Sequence, residues 1–186
     1  MHTMNRMETQ RPSRPSVLYV DDEMANLIAF RAAFRKDFDV HVAHSPEEAI
    51  EQLNSFHVDV MITDQRMPGM TGIDLVRATK ESHPEVVKMI LTGFADHEVV
   101  MNALNEGLVF RFFEKPWSKQ RIASDVTRAY DMLETYRQRK RQLLNMRANL
   151  ERGVESVNEL LGHLTLQQDS LGLGLAKELH EILGGD

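Results

Sequence analysis

Cysteine is absent from this chain of 186 residues, which excludes disulfides, thiolate nucleophiles and cysteine-ligated metals and suits a reducing cytoplasm. No stretch reaches the ~20 consecutive apolar residues of a membrane span. Residues 1–15 also lack the apolar core of a signal peptide; with Arg6, Arg11, Arg14, Pro12 and Pro15 they read as a flexible leader. Positive charge is in the minority, 22 Lys and Arg against 28 Asp and Glu, for a net charge of -6. That balance argues against wholesale nucleic-acid binding. The one basic cluster, Arg137-Gln138-Arg139-Lys140-Arg141, has no aromatic stacking partners and no recognition helix after it. It reads as solubilising charge on exposed helix positions. Long repeats and low-complexity tracts are missing as well.

The chain does contain a regular alternation. Val17–Asp22, Val58–Asp64, Val86–Thr92 and Val109–Pro116 are short β-branched or apolar runs, the pattern of strands buried on both faces, and Phe38–Val42 supplies a further short strand. Helical patterns lie between them. Leu27, Ile28, Phe30, Ala33 and Phe34 form an apolar stripe. Ser45-Pro46-Glu47-Glu48 combines an N-cap, a first-turn proline and acids at the positive end of a helix dipole. Thr71-Gly72-Ile73-Asp74 opens a third helix with Leu75 and Val76 inward, and a fourth runs from Asp96 through Val99, Val100, Ala103 and Leu104 to a stop at Gly107. Five strand–helix repeats predict an α/β flavodoxin-like fold, a doubly wound five-stranded parallel sheet over residues 16–118.

Parallel strands bring the residues at their carboxyl ends to one rim, where α/β folds bind ligands. Here the runs end in Asp21 and Asp22, in Asp64, in Thr92, and in Lys115. A carboxylate can accept a phosphoryl group, but donor and nucleophile are both negative, and a hard divalent cation relieves the repulsion. Asp21, Asp22 and Asp64, with the backbone carbonyl of Arg66, supply oxygen ligands for Mg2+, with Mn2+ as an alternative. Lys115 offers a point charge to phosphate oxygens, and the Thr92 hydroxyl a hydrogen bond. Arg66 and Phe94 flank Asp64 and Thr92, where they would tune the access of water.

Beyond Ser118 the last helix continues past the point where a compact domain would end. From Ile122 its apolar residues advance in alternating steps of three and four through Val126, Ala129, Leu133, Tyr136, Leu143, Leu150, Val154, Val157, Leu161, Leu164, Leu171 and Leu175. This is a heptad seam, interrupted by Lys140, Arg147 and Gln168, and it predicts a homodimeric coiled coil over 119–168. Roughly fifty helical residues extend about 75 Å, too far to pack on one domain. Gly153 and Gly162 each cost up to about 1 kcal/mol. The stretch Asp169–Gly174 predicts a break, with a short amphipathic helix after it in the segment 169–186.

Residues 16 to about 130 resemble the receiver domain of two-component response regulators. The resemblance rests on Val20-Asp21-Asp22-Glu23, on Thr63-Asp64-Gln65-Arg66-Met67-Pro68-Gly69-Met70-Thr71-Gly72, on Leu91-Thr92-Gly93, and on Phe113-Glu114-Lys115-Pro116-Trp117. It implies that Asp64 is the phosphoacceptor, Asp21 and Asp22 the metal-binding acids, Thr92 the switch hydroxyl and Lys115 the phosphate-binding lysine. It also implies that Phe112 is the switch aromatic. The implied partners are a sensor histidine kinase or phosphotransfer protein and a downstream protein effector. Asn105-Glu106-Gly107 together with Phe112–Trp117 is similar to a receiver subgroup joined to enhancer-binding ATPase, phosphodiesterase or phosphatase outputs, so a fragment of a larger regulator is an open alternative. Another is a phosphorelay role for His180, whose setting Leu179-His180-Glu181-Ile182 resembles a kinase dimerisation helix.

Overall fold

The computed structural model describes residues 14–93 and 97–182. The leader up to Ser13, Phe94, the expected helix start at Asp96, and Gly184-Gly185-Asp186 lie outside them. In chain order the elements are β1 (Ser16–Val20), α1 (Met24–Phe34), β2 (Asp39–Ala43), α2 (Pro46–Ser55), β3 (Val60–Asp64), α3 (Gly72–Ala78), β4 (Val87–Thr92), α4 (His97–Asn105), β5 (Arg111–Glu114) and α5 (Lys119–Ile182). The five strands form one sheet in the order β2-β1-β3-β4-β5, every pair parallel. This is the doubly wound flavodoxin-like arrangement anticipated from the alternation.

Period-2 alternation divides the core between the two faces of the sheet. Leu18, Val20, Met61 and Ile90 point toward Ala49 and Leu53 of α2, Ile73, Leu75 and Val76 of α3, and Ala103 of α4. Val17, Tyr19, Val60, Ile62, Met89 and Leu91 point the other way, toward Leu27, Phe30 and Phe34 of α1 and Ile122, Val126 and Ala129 of α5. Helix starts are chemically marked. Ser45 accepts a bond from the Glu48 amide, with Pro46 in the first turn of α2. At α3 Thr71 and Asp74 form a reciprocal capping box. Gly107, at φ 67°, sits just past the end of α4.

Two expectations change. Ile28 is 64% exposed and is not part of the α1 stripe. A narrow face of α1 holds Leu27, Phe30 and Phe34, and Ile28 lies about 100° around the helix from Leu27. The break foreseen at Asp169–Gly174 does not form, because α5 runs on to Ile182. Gly172 and Gly174 weaken a helix by about 1 kcal/mol each but leave every backbone N–H in place, and the segment contains no proline to remove one.

Two compact units divide between Thr135 and Tyr136, inside α5 and not at its start. In the first unit Ile122, Val126 and Ala129 are fully buried against the sheet, and Leu133 is 8% exposed. Leu133, expected on a dimer seam, is therefore core of its own domain. In the second unit Tyr136, Leu143, Leu150, Val154, Val157, Leu161 and Leu164 are between 53% and 69% exposed.

Candidate functional site

The sheet order reverses at β1, which lies between β2 and β3, and α/β folds bind ligands beyond the carboxyl ends of the strands at such a switch point. Asp21 comes directly after β1 and is held by its amide to the Ala43 carbonyl at 3.2 Å. Asp64 is the last residue of β3, in register with Leu91 of β4. Lys115 comes directly after β5, and its amide donates to the Thr92 carbonyl at 2.9 Å. The ladder thus brings acids separated by more than forty residues to one rim with a single ammonium. Lys115 Nζ lies 2.6 Å from Asp64 Oδ1 and 3.1 Å from Asp21 Oδ2.

The remaining anticipated residues take different positions. Asp22 is exposed beside this cluster. Arg66 presents its backbone, whose amide donates to Asp64 Oδ2 at 2.9 Å, while its side chain faces outward. The Thr92 hydroxyl is fully buried and donates to the Gly93 carbonyl at 2.9 Å. Phe112 is half-buried and packs against the core on the α2–α3–α4 side.

Four residues not singled out from the sequence complete the site. The Tyr19 hydroxyl donates to Asp21 Oδ2 at 2.6 Å. Its position two residues before Asp21, hence on the same side of an extended strand, was the available signal. Asn26 donates to both Asp21 oxygens, at 3.0 and 3.2 Å, from the first turn of α1. Gln65, only 5% exposed, ties the loop after β3 together: its amide donates to the Leu91 carbonyl, its carbonyl accepts from Gly72, and its side chain accepts from the Ile73 amide. Gly72 is required by closeness, because a Cβ there would lie 2.3 Å from the Asp64 carbonyl oxygen.

The electrostatics are those of two carboxylates competing for one cation. Burial pushes Asp21 up, but the bonds from Tyr19, Asn26 and the Glu23 amide, together with Lys115, outweigh it and leave its pKa below the ordinary value. Asp64 goes the other way: burial outweighs its bond to Lys115 and the Arg66 amide, and the negative charge of Asp21 adds to the rise. Burial disfavours the Lys115 ammonium, yet the bonds and charges of Asp64 and Asp21 more than compensate and raise its pKa. Burial and the Asp21 bond push the Tyr19 phenol far above its usual range, so it stays a donor.

The oxygen donors at this rim are of the kind that a hard divalent cation takes. Among the described residues no three acidic, histidine or cysteine side chains stand close enough together to hold a metal ion by themselves. Asp21 and Asp64 share Lys115, and Asp22 stands open beside them. Magnesium asks for oxygen ligands, commonly one or two carboxylates, and keeps several waters.

Comparison with known proteins agrees with this geometry. The model of the response regulator receiver domain matches residues 17–127. The hydrogenase transcriptional regulatory protein HoxA of Cupriavidus necator is 33% identical over 62% of this chain and 24% of its own length. HoxA of Bradyrhizobium diazoefficiens is 28% identical over 90% of this chain and 32% of its own. The chain therefore spans about a quarter to a third of these curated relatives. Among solved structures, a response regulator receiver domain protein from Clostridium thermocellum superposes with a TM-score of 0.61 at 30% identity, covering 66% of this chain and 98% of that one.

Proposed function

Because this chain belongs to the response regulator receiver domain family, we propose that Asp64 accepts a phosphoryl group from a phosphohistidine of a sensor histidine kinase or phosphotransfer protein. The observation that carries the proposal is the Lys115 ammonium bridging Asp64 and Asp21 at the rim. An Asp64 oxygen forms the new O–P bond as the donor N–P bond breaks, and water later cleaves the acyl phosphate. Asp21, Asp22, Asp64 and the Arg66 carbonyl would hold Mg2+ (Mn2+ is an alternative), which when bound supplies neutralisation of charge between phosphate and carboxylate. Lys115 would transfer its short contact from the Asp64 carboxylate to a phosphate oxygen.

The switch then runs through β4 and β5, adjacent strands that carry Thr92 and Phe112. Thr92 would exchange the Gly93 carbonyl for a phosphate oxygen, and Phe112 would move into the space released. Phe113 of β5 packs in one cluster with Ile122, Val126 and Ala129 of α5, so a shift of β5 is felt by that helix. We read the exposed seam beyond Tyr136 as a self-association surface whose packing changes with phosphorylation and is sensed by a protein effector. Transcriptional control belongs by name to the relatives, which are three to four times longer than the matched part of this chain.

Labelling with acetyl phosphate and Mg2+, then phosphate-affinity electrophoresis, tests the assignment. The parent chain should shift and Asp64→Asn should not. Equal labelling of the variant, or labelling undiminished by EDTA, would refute the proposal. Among the described residues no helix is long and apolar enough to cross a membrane.

A further inference from the structure

The second unit carries a charge asymmetry that the heptad pattern alone does not use. Between Arg137 and Arg152 there are six cations and one anion; between Glu155 and Glu181 there are five anions and one cation. The seam itself has charged positions at both ends, Lys140 and Arg147 in the basic half and Glu178 in the acidic half. In a parallel, in-register pair each seam residue meets its own copy, so Lys140 faces Lys140, Arg147 faces Arg147 and Glu178 faces Glu178. Like charges in such positions are strongly unfavourable.

We propose that the helix of residues 136–182 pairs antiparallel with a second copy of itself, centred on Asn158–Leu160; this rests on the self-association of the exposed seam. Antiparallel seams pair positions whose numbers add to a constant. With the centre at residue 159, Leu143 meets Leu175, Val154 meets Leu164 and Val157 meets Leu161 of the second copy, all exposed apolar residues in the single chain. The same register sets Lys140 against Glu178, and beside the seam, where like flanking positions meet two residues off the seam sum, Arg139 against Glu181. It also explains the glycines. The exposed flanking residues Leu144 and Met146 fall opposite Gly172 and Gly174, where a Cβ would meet nothing within 4 Å in the single chain. The two glycines thus leave room for the two large side chains. Sliding by one heptad, so that Arg147 meets Glu178, also pairs opposite charges but faces Gly153 with Gly174 and leaves no large side chain between them. The size pattern therefore selects between the two registers that the charge pattern allows.

The absence of cysteine makes the test direct. Asn145 lies on the exposed outer face, and Asn145→Cys carries a single spin label without entering the seam. Double electron–electron resonance should give an axial separation of about 42 Å for the antiparallel register, from about 28 residues at 1.5 Å each. A parallel pair would give roughly 20 Å, set by the interaxial distance and the labels. Sedimentation equilibrium of the unlabelled chain reports association separately. A dimer with the short distance overturns the antiparallel inference and leaves self-association standing, whereas a monomer at all concentrations overturns both. Lys140→Glu and Glu178→Lys should each weaken the dimer roughly tenfold, and the double variant should restore it. A double variant no tighter than either single one would also reject the register.

Discussion

Replacing Gly72 by alanine isolates the packing of the loop after β3 from the chemistry of the rim. The new methyl carbon would stand 2.3 Å from the Asp64 carbonyl oxygen, 3.1 Å from its carbonyl carbon and 3.1 Å from the Gln65 Cα, all of them backbone atoms. Ordinary contact begins at 3.4 Å, so the oxygen and the methyl must separate by more than 1 Å. Only a backbone displacement can supply this. The candidates to move are the Asp64–Gln65 segment and the first turn of α3, whose Gly72 amide bonds to the Gln65 carbonyl at 3.0 Å. Overpacking of this kind costs about 1–3 kcal/mol, more than the gain of up to about 1 kcal/mol that alanine has over glycine in a helix. We expect Gly72→Ala to lower the urea midpoint at unchanged slope and to slow acetyl phosphate labelling, because the backbone carrying the nucleophile has moved. Gly153→Ala is the control: nothing lies within 4 Å of its Cβ, so it should stabilise the α5 helix. A Gly72→Ala protein within about 0.5 kcal/mol of the parent and labelled at the parent rate would refute the reasoning.

Tyr19→Phe deletes the 2.6 Å bond to Asp21 Oδ2, a hydrogen bond to a charged group worth about 1.5–3 kcal/mol. Because Asp21 has a lowered folded pKa, its contribution is present above the unfolded carboxylate value and lost as pH falls through the folded one; the variant should therefore show a smaller loss of stability on acidification, measured by urea titrations at neutral and acid pH. Lys88 is 7% exposed, bonds to the His83 carbonyl, and is pushed by burial down to about 8. Between about 8 and the ordinary lysine value of 10.5 the unfolded chain holds more protons, so stability should rise with pH across that window, and Lys88→Met should flatten the rise. Lys115→Met leaves Asp21 and Asp64 without their shared cation and should abolish labelling while raising the Asp64 pKa further, as tracked by carboxyl NMR titration.

Much of the fold and the site was legible because strand ends are local facts. A buried run that stops in Asp21, Asp64, Thr92 or Lys115 puts that residue at the rim once the strands are parallel, whatever the rest of the chain does. The supporting shell was not legible in this way. Tyr19 looks like any core aromatic, Gln65 like a loop amide, and Gly72 like a helix-start glycine. The roles of Gln65 and Gly72 depend on bonds and clearances between β3, β4 and α3 that no spacing expresses, whereas Tyr19 shares a strand face with Asp21 two residues on.

The sequence by itself determined the α/β alternation, the acidic rim and its lysine, and the three–four stripe from Ile122 onward. Only the tertiary structure decided where that stripe changes its meaning. Ala129 and Leu133 are covered by the protein's own core, while Tyr136, one step further along the same stripe, is 53% exposed. Periodicity reports which residues share a face of a helix. Whether that face is covered is settled by contacts distant in the chain.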